Sequence, residues 1–531
     1  MKQAVTIQSV LGGQSLSQYV SAEGQYLAGL GIDPDYPLTS SDTRTSGVLV
    51  PTIYEKFSGA NVNASVVAIV NNPKDTNTYI VLSNGRLISY NSALGAETLI
   101  GTVTGSVGRG AWYYNNYIYI ATGTDLSRYG PLDGTPALTN TVWTGATLGS
   151  LTALNNTTYP TLRGVSIPNH WGCIHGDGSA YFLDFGGATP TAQAGQGLVH
   201  RINTRKVTSE GDTNGTTVAS AYNVLDLPFG FYPTAICSYS TDLAILAIQT
   251  TDTTINQGRS CLFLWDPTNT DTFYRQVWLP DPIATAMMNW NGTLVIWSGN
   301  ANNGVRVSMY AGGEVITDRN GAYLEEGLPP LAGAVDALGN RVVWGGFTTY
   351  PENTACVYGL GSKNAQLPRG VHNIVRTTSS NSTNQICTAV KFVQQASNVT
   401  PRLLPAWTDG AGQGIDKLST TATYASVWRS AVINVNTKFR ITKIRFALGA
   451  VTASGMTLTP KVFFDDASNS VTLTTINSTN YSGKRHVTYE PPAISATLGE
   501  NNFFIELRWT GTVALPILLP IKIELDVFED D

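Results

Sequence analysis

At 531 residues the chain can bury more than one core, and its formal net charge of −5, from 37 acidic against 32 basic residues, comes without any Lys/Arg cluster. Neutralising a phosphate backbone takes several converging cations, so the composition argues against tight or sequence-specific nucleic-acid binding. Charged residues make up 13% of the chain, against about 25% in an average soluble protein, while Thr, Asn, Ser and 52 glycines abound; the surface is expected to be solvated by amides and hydroxyls.

The opening "MKQAVTIQSVLGGQS" carries one Lys and no apolar run of signal-peptide length, which predicts cytoplasmic synthesis without a secretory signal. No run of about 18 apolar residues occurs, so no membrane insertion is expected. Residues 1–60 carry Gly, Pro and Asp at loop density, with "SLSQYVSAEGQYLAGLG" as a candidate helical turn. They read as an extended arm, on which Tyr19, Tyr26, Leu27, Leu30 and Ile32 predict docking on a protein surface.

Residues 61–421 repeat themselves. An apolar strand, a short polar turn and a second apolar strand recur in "YIVLSNGRLISYN" (turn Asn84, Gly85), "AWYYNNYIYIATG" (Asn115, Asn116) and "WGCIHGDGSAYFLDF" (Gly176 to Gly178). The pattern continues in "AICSYSTDLAILAI" (Ser240 to Asp242), "NWNGTLVIWSGN" (Asn291, Gly292) and "GAVDALGNRVVWGG" (Gly339, Asn340), with a poorer seventh copy from Thr388. Asn-Gly tolerates the positive φ angles of a two-residue hairpin turn, and the flanking aromatic and β-branched residues suit strands. Each copy is followed by an aromatic or apolar residue before another turn, and Tyr90, Tyr129, Trp265, Tyr310, Tyr358 and Trp407 hold corresponding places. About seven units, roughly 30 to 65 residues apart, predict an irregular β-propeller whose blades bury each other's faces. Trp290 and Trp297 are expected to pack between blades.

From residue 422 to 531 alternation is cleaner. Phe503, Ile505, Leu507 and Trp509 oppose Phe504, Glu506 and Arg508; Leu519, Ile521, Ile523, Leu525 and Val527 oppose Pro520, Lys522, Glu524 and Asp526. The phase slips between Ile441 and Ile444, which predicts a β-bulge. Six to eight such strands predict a β-sandwich, jelly-roll-like, ending in an acidic "FEDD". The fold class is therefore all-β: arm, propeller, sandwich.

Chemistry is sparsely signalled. His170 and His175, with Cys173 between them, have the residue types of a zinc site, but a strand and hairpin splay them and no second ligand pair is near, so a structural role is expected. His200, His372 and His486 are isolated. Asp184, Asp226, Asp266, Asp336 and Asp409 are scattered; a propeller glycosidase would need two such acids facing one channel. "DPTNTDTF" from Asp266 alternates oxygen donors but lacks the EF-hand Gly and Glu, and reads as a capped turn. Cys173, Cys237, Cys261, Cys356 and Cys387 form no C-x-x-C pair and are expected to be free thiols. No nucleophile elbow or phosphate loop is present. The sequence therefore predicts no catalytic, cofactor-binding or metal site, and no cofactor.

An arm, an irregular propeller and a sandwich, sparsely charged and without a signal, together resemble a tailed-bacteriophage virion protein. "SVLGGQSLSQYVSAEGQYLAGLGIDPDYP" resembles the opening of phage structural proteins, and the propeller resembles tail nozzle or hub proteins. The resemblance covers the architecture over most of the chain and rests on no catalytic or binding motif. It implies a non-enzymatic, homo-oligomeric tail component, assembled in the host cytoplasm, with portal or adaptor, tail or fibre proteins as partners. The alternative is an adhesin or receptor-binding protein using aromatics on a host surface glycan, and behind it a glycan-cleaving propeller enzyme.

Overall fold

The computed structural model describes residues 1–8, 12–14, 25–34, 48–49, 51–72, 76–91, 93–123, 125–142, 161–167, 170–185, 196–203, 220–249, 259–269, 271–300, 304–313, 315–317, 328–349, 351–361, 370–380, 383–394, 401–419, 424–449, 451, 455–465, 468–491, 494, 499–512, 515 and 517–528. They are strands almost throughout, with a 3-10 turn at Ala332–Ala334 and one short helix at Ser478–Tyr481. No helix among them is long and apolar enough to cross a membrane.

Seven four-stranded antiparallel sheets occupy the repeating region. Their first strands are Val66–Asn71, Gly110–Tyr114, Gly172–Ile174, Phe231–Tyr239, Ile283–Trp290, Val335–Leu338 and Ile386–Val393. Each first strand touches the next one in chain order, and the seventh returns to touch the first. Stacking small sheets face to face buries both faces of each, which no four-stranded sheet achieves alone. Aromatic pairs fill the gaps: Trp112 of the second sheet lies 5.1 Å from Phe182 of the third, Tyr181 of the third 5.7 Å from Trp265 of the fourth, and Trp297 of the fifth 5.8 Å from Trp344 of the sixth. Trp290 reaches the sixth sheet too, donating its indole N–H to the Gly339 carbonyl at 3.0 Å. Where a ring must approach backbone, only glycine fits: a Cβ on Gly172 would lie 2.5 Å from the Trp112 indole.

The hairpin from residue 289 to 300 turns at Asn291 and Gly292 with φ of 52° and 82°, the pair of positive values a two-residue hairpin needs. Two details of the repeat differ from the sequence reading. The hairpin from Tyr79 joins the second and third strands of its sheet, whose first strand is Val66–Asn71, and Trp407 lies on the second strand of the seventh sheet rather than the third. The seventh sheet, moreover, does not end with its own segment. After Ile386–Val393, Arg402–Thr408 and Gln413–Leu418, its fourth strand is Tyr54–Lys56, from ahead of the first sheet.

Residues 1–60 are thus not a free arm. Lys2–Ile7 pairs antiparallel with Ile517–Val527, Gln25–Leu30 with Tyr424–Ser430, and Val48–Leu49 with Leu518 and Ile517. Of the candidate helical turn, residues 15–24 with Tyr19 lie outside the described residues, and Gln25–Leu30 is a strand. Its period decides it: Tyr26, Ala28 and Leu30 are buried at every second position. Of the acidic terminus, residues 529–531 also lie outside.

These N-terminal strands join those from residue 424 onward in two larger sheets, of five and eight strands. The sheets face each other across one core in which Phe439, Ile441, Ile444, Ile521 and Ile523 meet Trp428, Val462, Phe503, Ile505 and Leu507. Register slips between Ile441 and Lys443, at the expected bulge. Phe504 and Glu506, expected on an outward face, are buried as well: Phe504 stacks on Phe463 at 4.6 Å, and Glu506 accepts from Arg429 at 2.6 Å.

This face of the eight-stranded sheet meets the sixth small sheet. Asp33 takes a bidentate pair from Arg341 at 2.8 and 2.9 Å, both side chains buried. Ile32 N–H donates to the Asn373 carbonyl at 3.0 Å, the Thr52 hydroxyl to that of Ile374 at 2.6 Å, and Tyr26 shares a hydrogen bond with His372 Nδ1 at 2.9 Å. Glu352 links Arg376, at 2.7 Å, to Arg508.

Two outcomes follow from this joint. Replacing Asp33 by Ala leaves the Arg341 charge buried without its carboxylate, and chemical denaturation should show a loss of about 3–5 kcal/mol. Burial, and then the nearby Arg341 guanidinium, push the His372 imidazole down to about 3. The unfolded chain therefore takes up a proton near pH 6.5 that the folded chain refuses. The contribution is complete above pH 6.5 and is lost as pH falls toward 3, by up to about 1.4 kcal/mol per pH unit. Denaturation midpoints measured from pH 7 to 5 should fall less steeply in His372→Gln.

Candidate functional site

The first strands of the first, second, sixth and seventh sheets, with Gly172 of the third, line a cavity of about 960 Å³. Asn71 and Asn72 at the end of one strand, Trp112 and Tyr113 on the next, Val335–Leu338 and the segment from Val390 to Phe392 form its walls. Trp171, just ahead of Gly172–Ile174, lines it too. That side chain packs on the cores between the first and second, third and fourth, and fourth and fifth sheets, and a Cβ on Gly333 would lie 3.3 Å from its ring. A group that touches so many sheets at once lies where their inner edges converge.

Two charged side chains among the described lining residues are opposed. Asp336 Oδ1 lies 3.1 Å from Lys391 Nζ, while Oδ2 accepts the Phe392 N–H at 2.7 Å. Asn71 donates from Nδ2 to the Phe392 carbonyl at 2.9 Å. Three neighbouring strands are thereby tied at the wall, and the carboxylate is held in place before any ligand arrives. Among the described lining residues Asp336 is the one carboxylate. The other four acids noted in the sequence lie elsewhere. Asp266 and Asp409 cap turns, Asp266 accepting from the Thr268 N–H at 2.9 Å and Asp409 from the Gly412 N–H at 2.7 Å. Hydrogen bonds from Thr268 and Asn269 hold the Asp266 carboxyl below its usual range.

Asp184 and Asp226 belong to the third sheet, where the structure brings together what the sequence left apart. Asp184 lies between two imidazoles, Oδ1 at 3.3 Å from His170 Nδ1 and Oδ2 at 3.0 Å from His200 Nε2, with all three side chains fully buried. His170 Nδ1 also faces the Leu183 carbonyl at 3.0 Å; a carbonyl only accepts, so that nitrogen carries the proton. Desolvation lowers the His170 pKa despite the nearby carboxylate. Desolvation also raises that of Asp226.

His175 is not part of this group. Its Nε2 donates to the Thr241 carbonyl at 3.1 Å and its Nδ1 accepts the Asp177 N–H at 3.3 Å, so neither nitrogen has a lone pair left for a metal. Burial pushes the Cys173 thiol well above its ordinary value, away from the thiolate that zinc requires. Among the described residues no three His, Cys, Asp or Glu side chains converge on a metal position. None of the five cysteines forms a disulfide. His372 is spent on the Tyr26 joint and His486 lies exposed on the five-stranded sheet. Lys391, Asn71, Tyr113 and the axial place of Trp171 were not singled out from the sequence. Their shared signal is position, on or beside the strand that opens each unit, and it becomes readable only once the phase of the repeat is known.

No protein-family model and no curated protein matches the chain. Among solved structures, the computationally designed Ika8 protein aligns with 67% of this chain and 97% of its own, at 12% identity and a TM-score of 0.36, a likeness too loose to carry an argument.

Asp184→Ala removes the acceptor shared by two buried imidazoles and should lower stability by about 3 kcal/mol. In the same thermal melts, a chelator should leave the unsubstituted protein unchanged; a chelator-induced drop would show that a metal holds this cluster.

Proposed function

We propose that the seven sheets are the blades of a β-propeller closed by Tyr54–Lys56, that the two larger sheets form a jelly-roll-like sandwich, and that the chain is a non-enzymatic structural component of a tailed-phage virion. It acts at the tail, as a nozzle, hub or fibre-attachment protein, through assembly with copies of itself and with portal or adaptor, tail or fibre proteins. The observation that carries this reading is the joint: Asp33 with Arg341 and Glu352 between Arg376 and Arg508 fasten the ring of sheets to the sandwich at several points. A protein whose task is to fix geometry gains from such a fastening, whereas an enzyme needs converging reactive groups. The resemblance of the N-terminal segment to phage structural proteins supports it from another side.

A glycan-cleaving reading would require a second carboxylate about 5 to 10 Å from Asp336. The described lining supplies none, and Lys391 already holds the first.

Light scattering of the purified full-length protein, alone and mixed with isolated tails, tests the proposal. A discrete oligomer, or a monomer that becomes incorporated into tails, is the expected result. A monomer that stays apart from tails at every ratio would refute it.

A further inference from the structure

We propose that this cavity binds a neutral oligosaccharide. The inference stands on the cavity alone and goes beyond the structural role above. At about 960 Å³ the space is at the upper end of the roughly 300–1,000 Å³ typical of small-ligand sites. Its lining mixes two kinds of surface. Trp171, Tyr113 and Phe392 offer aromatic area, while Asn71, Asp336 and Lys391 offer amide, carboxylate and ammonium groups.

The charges decide which ligand class fits. Asp336 and Lys391 cancel, so the described lining has no net charge with which to repay the desolvation of a phosphate or carboxylate. A purely apolar ligand would strip water from the same ion pair and return nothing. A sugar satisfies both surfaces, because its C–H faces lie against aromatic rings while its hydroxyls donate to a carboxylate and accept from an ammonium. Lys391 spends one of its three N–H donors on Asp336. The polar groups are also preorganised: Asp336 is fixed by the Phe392 N–H, and Asn71 by the Phe392 carbonyl.

One other surface competes for glycans. On the outer face of the five-stranded sheet, Lys443, Arg445, His486 and Lys522 line a hollow of about 690 Å³, where Lys443 pairs with Glu490 and Arg445 lies 3.5 Å from Glu524. Its surplus of cations suits acidic sugars, which separates the two sites by ligand charge.

The test is an array of neutral and acidic oligosaccharides probed with the full-length protein, followed by titration of a retained sugar against tryptophan fluorescence. Thr76→Trp fills the cavity mouth from an exposed position, and Asp336→Asn removes the carboxylate charge while keeping an oxygen for the Phe392 N–H. The expected result is retention of neutral glycans by the unsubstituted protein, with at least tenfold weaker binding in both variants and unchanged binding in Lys522→Glu. Absence of any retained neutral glycan overturns the proposal. So does undiminished binding in Thr76→Trp, or retention of acidic glycans alone that is lost in Lys522→Glu.

Discussion

Everything in the ring depends on one antiparallel pairing of three residues. Leu418 lies opposite Tyr54, Lys417 opposite Glu55 and Asp416 opposite Lys56. Backbone bonds extend it at both ends, from the Phe57 N–H to the Ile415 carbonyl at 3.1 Å and from the Ser419 N–H to the Ile53 carbonyl at 2.9 Å. Without it the seventh sheet has an open edge, and the first sheet is held to the seventh by side-chain contacts such as the Asn71–Phe392 hydrogen bond. With it, the chain's early segment becomes part of the last sheet, and opening the ring requires breaking a ladder. The neighbouring Asp416 shows how tightly this place is packed. It is fully buried, accepts from the Trp407 indole N–H and from Thr378, and desolvation pushes its carboxyl up to about 6.

The same principle recurs in the two larger sheets. Lys2–Ile7 and Val48–Leu49 lie side by side along Ile517–Val527, and Gln25–Leu30 lies along Tyr424–Ser430. The N-terminal segment therefore belongs to three sheets in turn, with docking on the sixth small sheet between them. These contacts join residues hundreds of positions apart, so they close long loops and are slow to form.

What was legible in the sequence was whatever local chemistry dictates. Asn291 and Gly292 encode their turn by tolerating positive φ; Phe503, Ile505, Leu507 and Trp509 encode their strand by alternation; Ile441 and Ile444 encode a bulge by losing it. What was illegible is pairing at a distance. Tyr54–Lys56 is too short for any period to show, and its partners are remote: Lys56 meets Gln413 at a separation of 357 residues and Glu55 meets Ser419 at 364. Asp184 meets His200 because the ladder sets Phe182 opposite His200, a register that neither strand contains by itself. The cavity was hidden for the same reason: Asp336 and Lys391 sit on strands of different sheets, brought together by the stacking of whole units.

The joint between ring and sandwich has a mechanical meaning. The chain leaves Val48–Leu49 for Tyr54–Lys56 and leaves Gln413–Leu418 for Tyr424–Ser430, so two neighbouring covalent tethers cross between the two parts. Two adjacent tethers alone would form an axle about which one part could turn. The buried Asp33–Arg341 pair and the partly exposed Glu352 bridge add attachments made by other residues, so a twist about the tethers would have to stretch them. Rotation of one part against the other is thus opposed at points away from the backbone crossings.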